Sequence, residues 1–396
     1  MTSRLTAILL AGLLWLAGTP AAVQAAPGLH PQTVTLRGGK QVRLQVADGF
    51  KLTPVADGMR RPRFMAMSPD NRLFVGDMHA MGDNDRGVVY VLDGWNADTG
   101  RVSTVTRWAT GLRNPHSLAF HVDAQGRAWL YLALTDRLLR YPYRNGERAP
   151  SGAPQVIARF PDGGLSAANG GWHLTRTVLI APNGKLYVSV GSSCNACIEK
   201  EAWRGVVLEM DPDGSQARIL ARGIRNAVGM DWVEGGVVVT NQGVDHLGRD
   251  APDDTVYKLR AGADYGWPHC YARNGKILPD PEYPRKSGCA QVPRPFSRFA
   301  PHSSALGIAW MAKDGNALLG GRYAVALHGS GSFRMGRGYR VATLDAAGRP
   351  AAALVDGFLR NGTVQGRPCG VLRIGPDRLL ISDDKAGVIY YLRPDR

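Results

Sequence analysis

The sequence predicts an all-β chain folded as a six-bladed β-propeller of four-stranded antiparallel blades. Three observations carry this. A unit of apolar strand, polar turn and second apolar strand recurs six times. Within it, residues such as Leu186, Val188 and Val190 alternate with the period of two that a packed strand needs, and no sustained 3.6-residue pattern competes. The 396 residues include 49 Gly and 25 Pro, more than an ordinary share, which favours many turns over long helices.

The units follow one another in order. The first spans residues 64–76, with Pro69-Asp70-Asn71 as its turn; the second begins at 117–120. The third, 178–191, is the clearest, with Pro182-Asn183-Gly184 between two apolar runs. The fourth begins at 228–232, the fifth at 306–310, and the sixth spans 371–382. Third strands follow, as at 87–92, 254–259 and 387–392. Six copies give roughly 60 residues each, enough for a blade of ~40–50 residues plus loops. The strand-like stretch 32–46 is expected to join the last blade and close the ring. Two stretches break the period: 162–172, rich in Gly, Ala and Asn, and a Pro-rich insertion at about 265–300. Long loops gather at the faces of such a ring and often build its site.

Residues 1–25 read as a secretory signal peptide, leaving 26–396 as a single propeller domain. Arg4 supplies the positive start, residues 7–17 the apolar run, and Val23-Gln24-Ala25 the small-residue cleavage site. That run is shorter than the ~20 residues of a membrane span, and no later stretch is apolar enough to cross. The protein is therefore expected to be periplasmic or secreted. Five cysteines suit an oxidising compartment. The expected pairs are Cys194–Cys197 and Cys270–Cys289, with Cys369 free. A redox-active Cys194-x-x-Cys197 is the alternative. A zinc site lacks its second ligand pair.

Lys and Arg number 48 against 33 Asp and Glu, a net charge of +15. This admits an anionic cofactor or an acidic partner. Basic clusters interleaved with aromatics are missing, so nucleic acid is not expected. His173 precedes the third unit, at the entrance to an inner strand, where a neutral imidazole can act as general base. Arg225 and Asn226 hold the corresponding place before the fourth, and Arg367 before the sixth. An arginine fork and an amide at a channel mouth suit a carboxylate or quinone oxygen. The turn at 241–245, with Gly243 and Val244, can aim carbonyl oxygens at a hard cation such as Ca²⁺. Arg63 and His116 can reach the same mouth from the first two blades.

With these residues goes a family resemblance. The segments are Gly171-Trp172-His173-Leu174-Thr175-Arg176-Thr177, the run from Pro182 to Asn195, Gly223-Ile224-Arg225-Asn226, and Tyr265-Gly266-Trp267-Pro268. They continue with His302-Ser303-Ser304-Ala305-Leu306-Gly307, Ala326-Leu327-His328-Gly329-Ser330, Gly366-Arg367-Pro368 and the run from Leu379 to Asp384. In this order they resemble the glucose/sorbosone dehydrogenases, most of all the L-sorbosone dehydrogenase-like branch, which use pyrroloquinoline quinone (PQQ) on a six-bladed propeller. The resemblance implies an oxidoreductase acting on aldose sugars or related aldehydes at C1 by hydride transfer to the quinone. It implies PQQ and Ca²⁺ as cofactors, and a cytochrome or quinone as electron acceptor. It makes His173 the base and Arg225 the group that polarises the quinone. Asn226, Arg334 and Arg367 become cofactor contacts, and Gly243 and Val244 the Ca²⁺ ligands. Ser192 stands where soluble glucose dehydrogenases place an Asp behind the base, Cys369 where a second arginine is expected, and Val244 in place of a Pro. The other readings are a non-catalytic binding propeller and a Ca²⁺-dependent lactonase-type hydrolase. The resemblance is compatible with a monomer or a homodimer.

Overall fold

A computed structural model describes residues 28–165, 172–314 and 319–395. The expected signal peptide, and residues 166–171 of the first interrupting loop, lie outside the described residues.

Six antiparallel sheets follow one another along the chain. Blade one is Pro62–Met67, Leu73–Asp77, Gly87–Asp93 and Thr104–Leu112. Blade two is Ser117–Val122, Ala128–Ala133, Arg137–Tyr143 and Gln155–Arg159. Blade three is Arg176–Ile180, Leu186–Val190, Val206–Met210 and Arg218–Arg222. Blade four is Ala227–Val233, Gly236–Asn241, Asp254–Lys258 and, after the insertion, Ser297–Phe299. Blade five starts Ala305–Met311, Arg322–Leu327, Arg340–Asp345 and Pro350–Asp356. Blade six is Pro368–Gly375, Arg378–Asp383 and Val388–Pro394, completed by Phe50–Asp57 from the N-terminal side.

The period-two alternation has a direct consequence for packing. Each blade is flanked by two others, so both faces of a strand are buried, and the core divides into clusters between neighbouring blades. Leu186, Val188 and Val190 pack with Tyr131 and Leu138 of blade two. Tyr187 and Val207, on the opposite face, pack with Val237 and Val239 of blade four.

At the axis the first strand of each blade meets the next, and small residues permit it. A Cβ on Gly307 would lie 2.8 Å from the Cys369 carbonyl oxygen, and one on Gly370 2.8 Å from that of Arg63. Hydroxyls stitch blade to blade. Thr177 Oγ1 donates to the Val228 carbonyl at 2.6 Å, Thr240 Oγ1 to that of Leu306 at 2.8 Å, and Ser382 Oγ to that of Arg63 at 2.5 Å.

Ring closure differs from the sequence expectation. The stretch 32–46 does not join the last blade. Leu29–Thr35 and Gln41–Ala47 form a hairpin that widens blade five to six strands. Val42, Leu44 and Val46 are fully buried there against blade six. Closure is the work of Phe50–Asp57, which pairs with Val388–Pro394. Pro54 hides this strand in the sequence, but it sits beside the register shift at Pro54/Ala56, where the outer strand gives up regular pairing. The insertion is not wholly loop either. It carries the hairpin Cys270–Arg273/Lys276–Pro279 before supplying the outer strand of blade four. Both expected disulfides are formed, and Cys369 is free and buried. No helix among the described residues is long and apolar enough to cross a membrane.

Phe50 is fully buried on the closing strand. Phe50→Ala is expected to cost about 3–5 kcal/mol of stability, seen as a lower Tm in thermal unfolding. An unchanged Tm would mean that this strand does not close the ring.

Candidate functional site

A cavity of about 630 Å³ opens at the mouth of the central channel, where the segments before the inner strands converge. His173, Asn226 and Arg367 line it together, as do Arg63, Gln242 and His328. Trp172 and Met81, both substantially exposed, form an apolar part of its rim.

His173 sits just before the inner strand of blade three. Its Nδ1 lies 3.0 Å from the Ser192 carbonyl oxygen and 3.0 Å from Ser192 Oγ. The Ser192 hydroxyl donates its own proton to the Cys194 carbonyl at 2.7 Å, so both Ser192 oxygens accept. The ring proton is therefore on Nδ1, and Nε2 keeps a free lone pair. Burial, then the charge of Arg225, pushes the imidazole well below its usual pKa. Ser192 thus orients the base with backbone and hydroxyl oxygens, without a carboxylate. Gly191 is required at this point, because a Cβ would lie 2.6 Å from both His173 Cβ and Asn226 Oδ1.

Arg225 is buried behind the cavity. Its guanidinium donates to the Asn195 carbonyl at 2.8 Å and to Asn195 Oδ1 at 2.9 Å, and its nearest carboxylate, Asp245, is 3.7 Å away. Asn226 Nδ2 donates to Gln242 Oε1 at 2.8 Å, whereas its Oδ1 is buried without a partner among the described residues. Gly243 and Val244 line a second, smaller cavity with Arg225, and Gln242 lines both cavities. Asp254 pins this turn, accepting from Gly243 N–H at 2.9 Å and from Ser304 N–H at 2.6 Å. Burial raises the Asp254 pKa to about 6. Arg334 is not brought in. It is exposed on the short 3-10 helix Phe333–Met335 and lines neither cavity.

Arg367 is braced by neutral groups. It donates to the carbonyls of Gly329 and Ser330 at 3.2 and 2.9 Å, to Tyr339 Oη at 3.1 Å and to His328 Nδ1 at 3.3 Å. Among the described residues no carboxylate lies within ion-pair distance of its guanidinium. A hub that sequence reasoning missed lies beneath. Asp384 is fully buried and takes Arg63 at 2.5 Å, Arg61 at 3.3 Å and His328 Nε2 at 2.8 Å. His328 receives from Arg367 and donates to Asp384, which fixes it as a neutral imidazole. His116 is fully buried and takes the Arg63 Nε proton on Nδ1 at 3.2 Å, so it lies beneath Arg63 and not at the mouth. The Leu379-to-Asp384 run held the signal for this hub, since an Asp pair ending an inner-blade strand is costly unless buried cations meet it.

The donor set fits an anionic quinone with calcium. Among the described residues, Arg367 offers a cation with no carboxylate partner and Asn226 Oδ1 a buried acceptor without a hydrogen-bond partner, and the 243–244 turn carries hard carbonyl oxygens. One carboxylate, Asp83, is found among the described lining residues, and it is engaged by Arg113 at 2.6 Å.

Comparison with known proteins agrees with this architecture. The TrAA12-like family model matches residues 44–394, and the chain belongs to that family. Among solved structures, the holo PQQ domain of pyranose dehydrogenase from Coprinopsis cinerea superposes with a TM-score of 0.72 at 20% identity, over 88% of this chain and 97% of that one. A calcium structure of the family AA12 carbohydrate-active enzyme from Trichoderma reesei gives 0.73 at 18% identity, over 95% and 100%. The apo soluble aldose sugar dehydrogenase of Escherichia coli gives 0.60 at 14%, over 87% and 99%. No curated protein sequence matches the chain.

The hub is open to test. Asp384 is held well below the usual carboxylate range: burial opposes this, but His328 and the two arginines outweigh it. Because the folded pKa is depressed, its contribution is present above about pH 4 and fades below it. Asp384→Asn leaves Arg63 and Arg61 without their shared counter-ion and is expected to cost about 3–5 kcal/mol at pH 7. In unfolding curves measured from pH 7 to pH 3, the gap from the parent protein should narrow on acidification. A gap independent of pH would contradict the charged hub.

Proposed function

We infer that this member of the TrAA12-like family is an exported PQQ- and Ca²⁺-dependent oxidoreductase that oxidises aldose sugars or related aldehydes. One observation carries the reading: a histidine whose Nδ1 is held by Ser192, leaving Nε2 as the free nitrogen, lines a cavity together with an arginine that has no carboxylate partner among the described residues. A base and an unfilled demand for an anion in one pocket suit oxidation of a hydroxyl by an anionic organic cofactor. The sorbosone-like substrate range, the periplasmic or secreted location and an acceptor of cytochrome or quinone type belong to the same proposal.

The division of labour follows from the residues. Bound PQQ with calcium supplies a two-electron acceptor. His173 Nε2 takes the proton of the substrate's C1 hydroxyl or aldehyde hydrate. Arg225 keeps a positive charge in the wall of the adjoining smaller cavity, buried and paired with Asp245 only at 3.7 Å. Arg367 would pair with a carboxylate of the cofactor, and its four neutral acceptors hold the fork in place. Asn226 would offer its amide oxygen to the cofactor from the main cavity, and the carbonyls of Gly243 and Val244, in the adjoining smaller cavity, would hold the calcium. Trp172 and Met81 give an incoming sugar ring an apolar surface and limit water beside the base. A lactonase would need a ring of acidic metal ligands, which the described lining does not provide.

Purified protein loaded with PQQ and Ca²⁺ should reduce an artificial dye with a panel of aldoses and aldehydes. His173→Gln should lower kcat by about 10²–10⁴ while still binding PQQ. Failure of the parent protein to bind PQQ in the presence of Ca²⁺ would overturn the reading. The pH profile is a separate check. The base works when neutral, and its pKa lies below 6.5, so activity should survive acidification past pH 6.5 and its acid limb should lie lower still. An acid limb at or above pH 6.5 would mean that His173 is not the titrating base.

A further inference from the structure

The four-residue loop closed by the Cys194–Cys197 disulfide is bonded to Ser192, to Arg225 and to the turn after Val244. Ser192, two residues before it, holds His173 Nδ1, and the Ser192 hydroxyl is itself fixed on the Cys194 carbonyl at 2.7 Å. Arg225 grips both ends of the next stretch: its carbonyl accepts the Ser192 N–H at 2.8 Å, and its guanidinium donates twice to Asn195. Asn195 Oδ1 does a second job. It also accepts the N–H of Asp245 at 3.0 Å, directly after Gly243 and Val244. The following carbonyl, of Ala196, accepts from Tyr283 Oη of the insertion at 2.8 Å. One amide oxygen thus ties the arginine of the pocket to the turn offered to calcium.

We propose that Asn195 is a positioning residue that couples the Arg225 guanidinium to the calcium-holding turn, with the Cys194–Cys197 disulfide fixing its place. This rests on the PQQ/Ca²⁺ reading above and goes beyond it, because Asn195 touches neither cofactor nor substrate in that scheme. The chemistry favours an amide here. A neutral acceptor fixes both donors and leaves the Arg225 charge available to the pocket, whereas a carboxylate would neutralise it. The backbone carbonyl of Asn195 takes Nε whatever the side chain, so truncation to Ala removes one contact to Arg225 and the whole link to Asp245.

The test compares Asn195→Ala, Asn195→Asp and His173→Gln with the parent protein. Ca²⁺ is titrated calorimetrically into apo-protein, PQQ binding is followed by absorbance, and turnover is measured on loaded enzyme. Supporting groups around a metal ligand typically matter by 10–100-fold. Asn195→Ala is expected to weaken Ca²⁺ about 10-fold and to lower kcat by about 10-fold, with thermal unfolding little changed. Asn195→Asp keeps the acceptor for Asp245 N–H, so its Ca²⁺ affinity should return to within about 3-fold of the parent, while kcat stays depressed because Arg225 is neutralised. His173→Gln should lose turnover with Ca²⁺ affinity intact. If Asn195→Ala binds Ca²⁺ as tightly as the parent, or if Asn195→Asp restores turnover along with affinity, the coupling is overturned and the cofactor reading stands. If Asn195→Ala simply unfolds, the Asn195→Asp pair of readouts decides. If the parent protein itself binds no Ca²⁺ and no PQQ, the cofactor reading fails and the inference with it.

Discussion

The crowding of six inner strands around one axis is the constraint on which the rest depends. Where neighbouring backbones approach closely, a side chain has no room, and Gly307 and Gly370 mark such contacts. Nearby, short hydroxyls bond one blade to the next, as Thr177, Thr240 and Ser382 do, and Val228, Leu306 and Cys369 pack together between inner strands. Such a ring is rigid near its axis. The segments entering the inner strands are then forced to converge on one mouth. His173, Asn226 and Arg367 are distant in sequence and neighbours in space for this reason.

Rigidity alone would not explain the charges. Burying arginines is expensive, and the structure treats them unequally. Arg63 shares the carboxylate of Asp384 with Arg61. Arg367 is held by carbonyls, a phenol and an imidazole, and Arg225 by a carbonyl and an amide with Asp245 at 3.7 Å, so direction is fixed mainly by groups that do not cancel charge. Arg367, which has no carboxylate partner among the described residues, is thereby left with electrostatic reach into the pocket.

Much of this was legible in the sequence, for stated reasons. The blades were readable because period-two alternation and Pro/Asn/Gly turns are local signals. The positions of His173, Arg225 and Arg367 were readable because they recur at one phase of the repeat. The closing strand was not. Phe50–Asp57 carries Pro54 and pairs with residues more than 300 positions away, so nothing local marks it. The Asp384 hub was hidden likewise, since its partners Arg63 and His328 come from opposite ends of the chain. Arg334 is the converse case. It stands close in sequence to a pocket residue, but the turn at Phe333–Met335 carries it away into solvent.

The support of the base is where this chain departs most from the pattern it resembles, and the physics of the exchange is specific. A carboxylate behind an imidazole orients it and stabilises the cation formed on protonation, raising its pKa. The oxygens of Ser192 orient the ring equally well, at 3.0 Å each, but bring no full charge. Burial and Arg225 then act on His173 with little opposition, and the ring stays neutral to lower pH. Such a base is weaker, so more of the work of stabilising the developing charge falls on the fixed dipoles and cations around it. That places a premium on the exact bearing of Arg225, which is set by the same disulfide loop that supplies Ser192. Loss of the carboxylate and reliance on the loop are two sides of one arrangement: a weaker base tolerates less error in the groups that assist it.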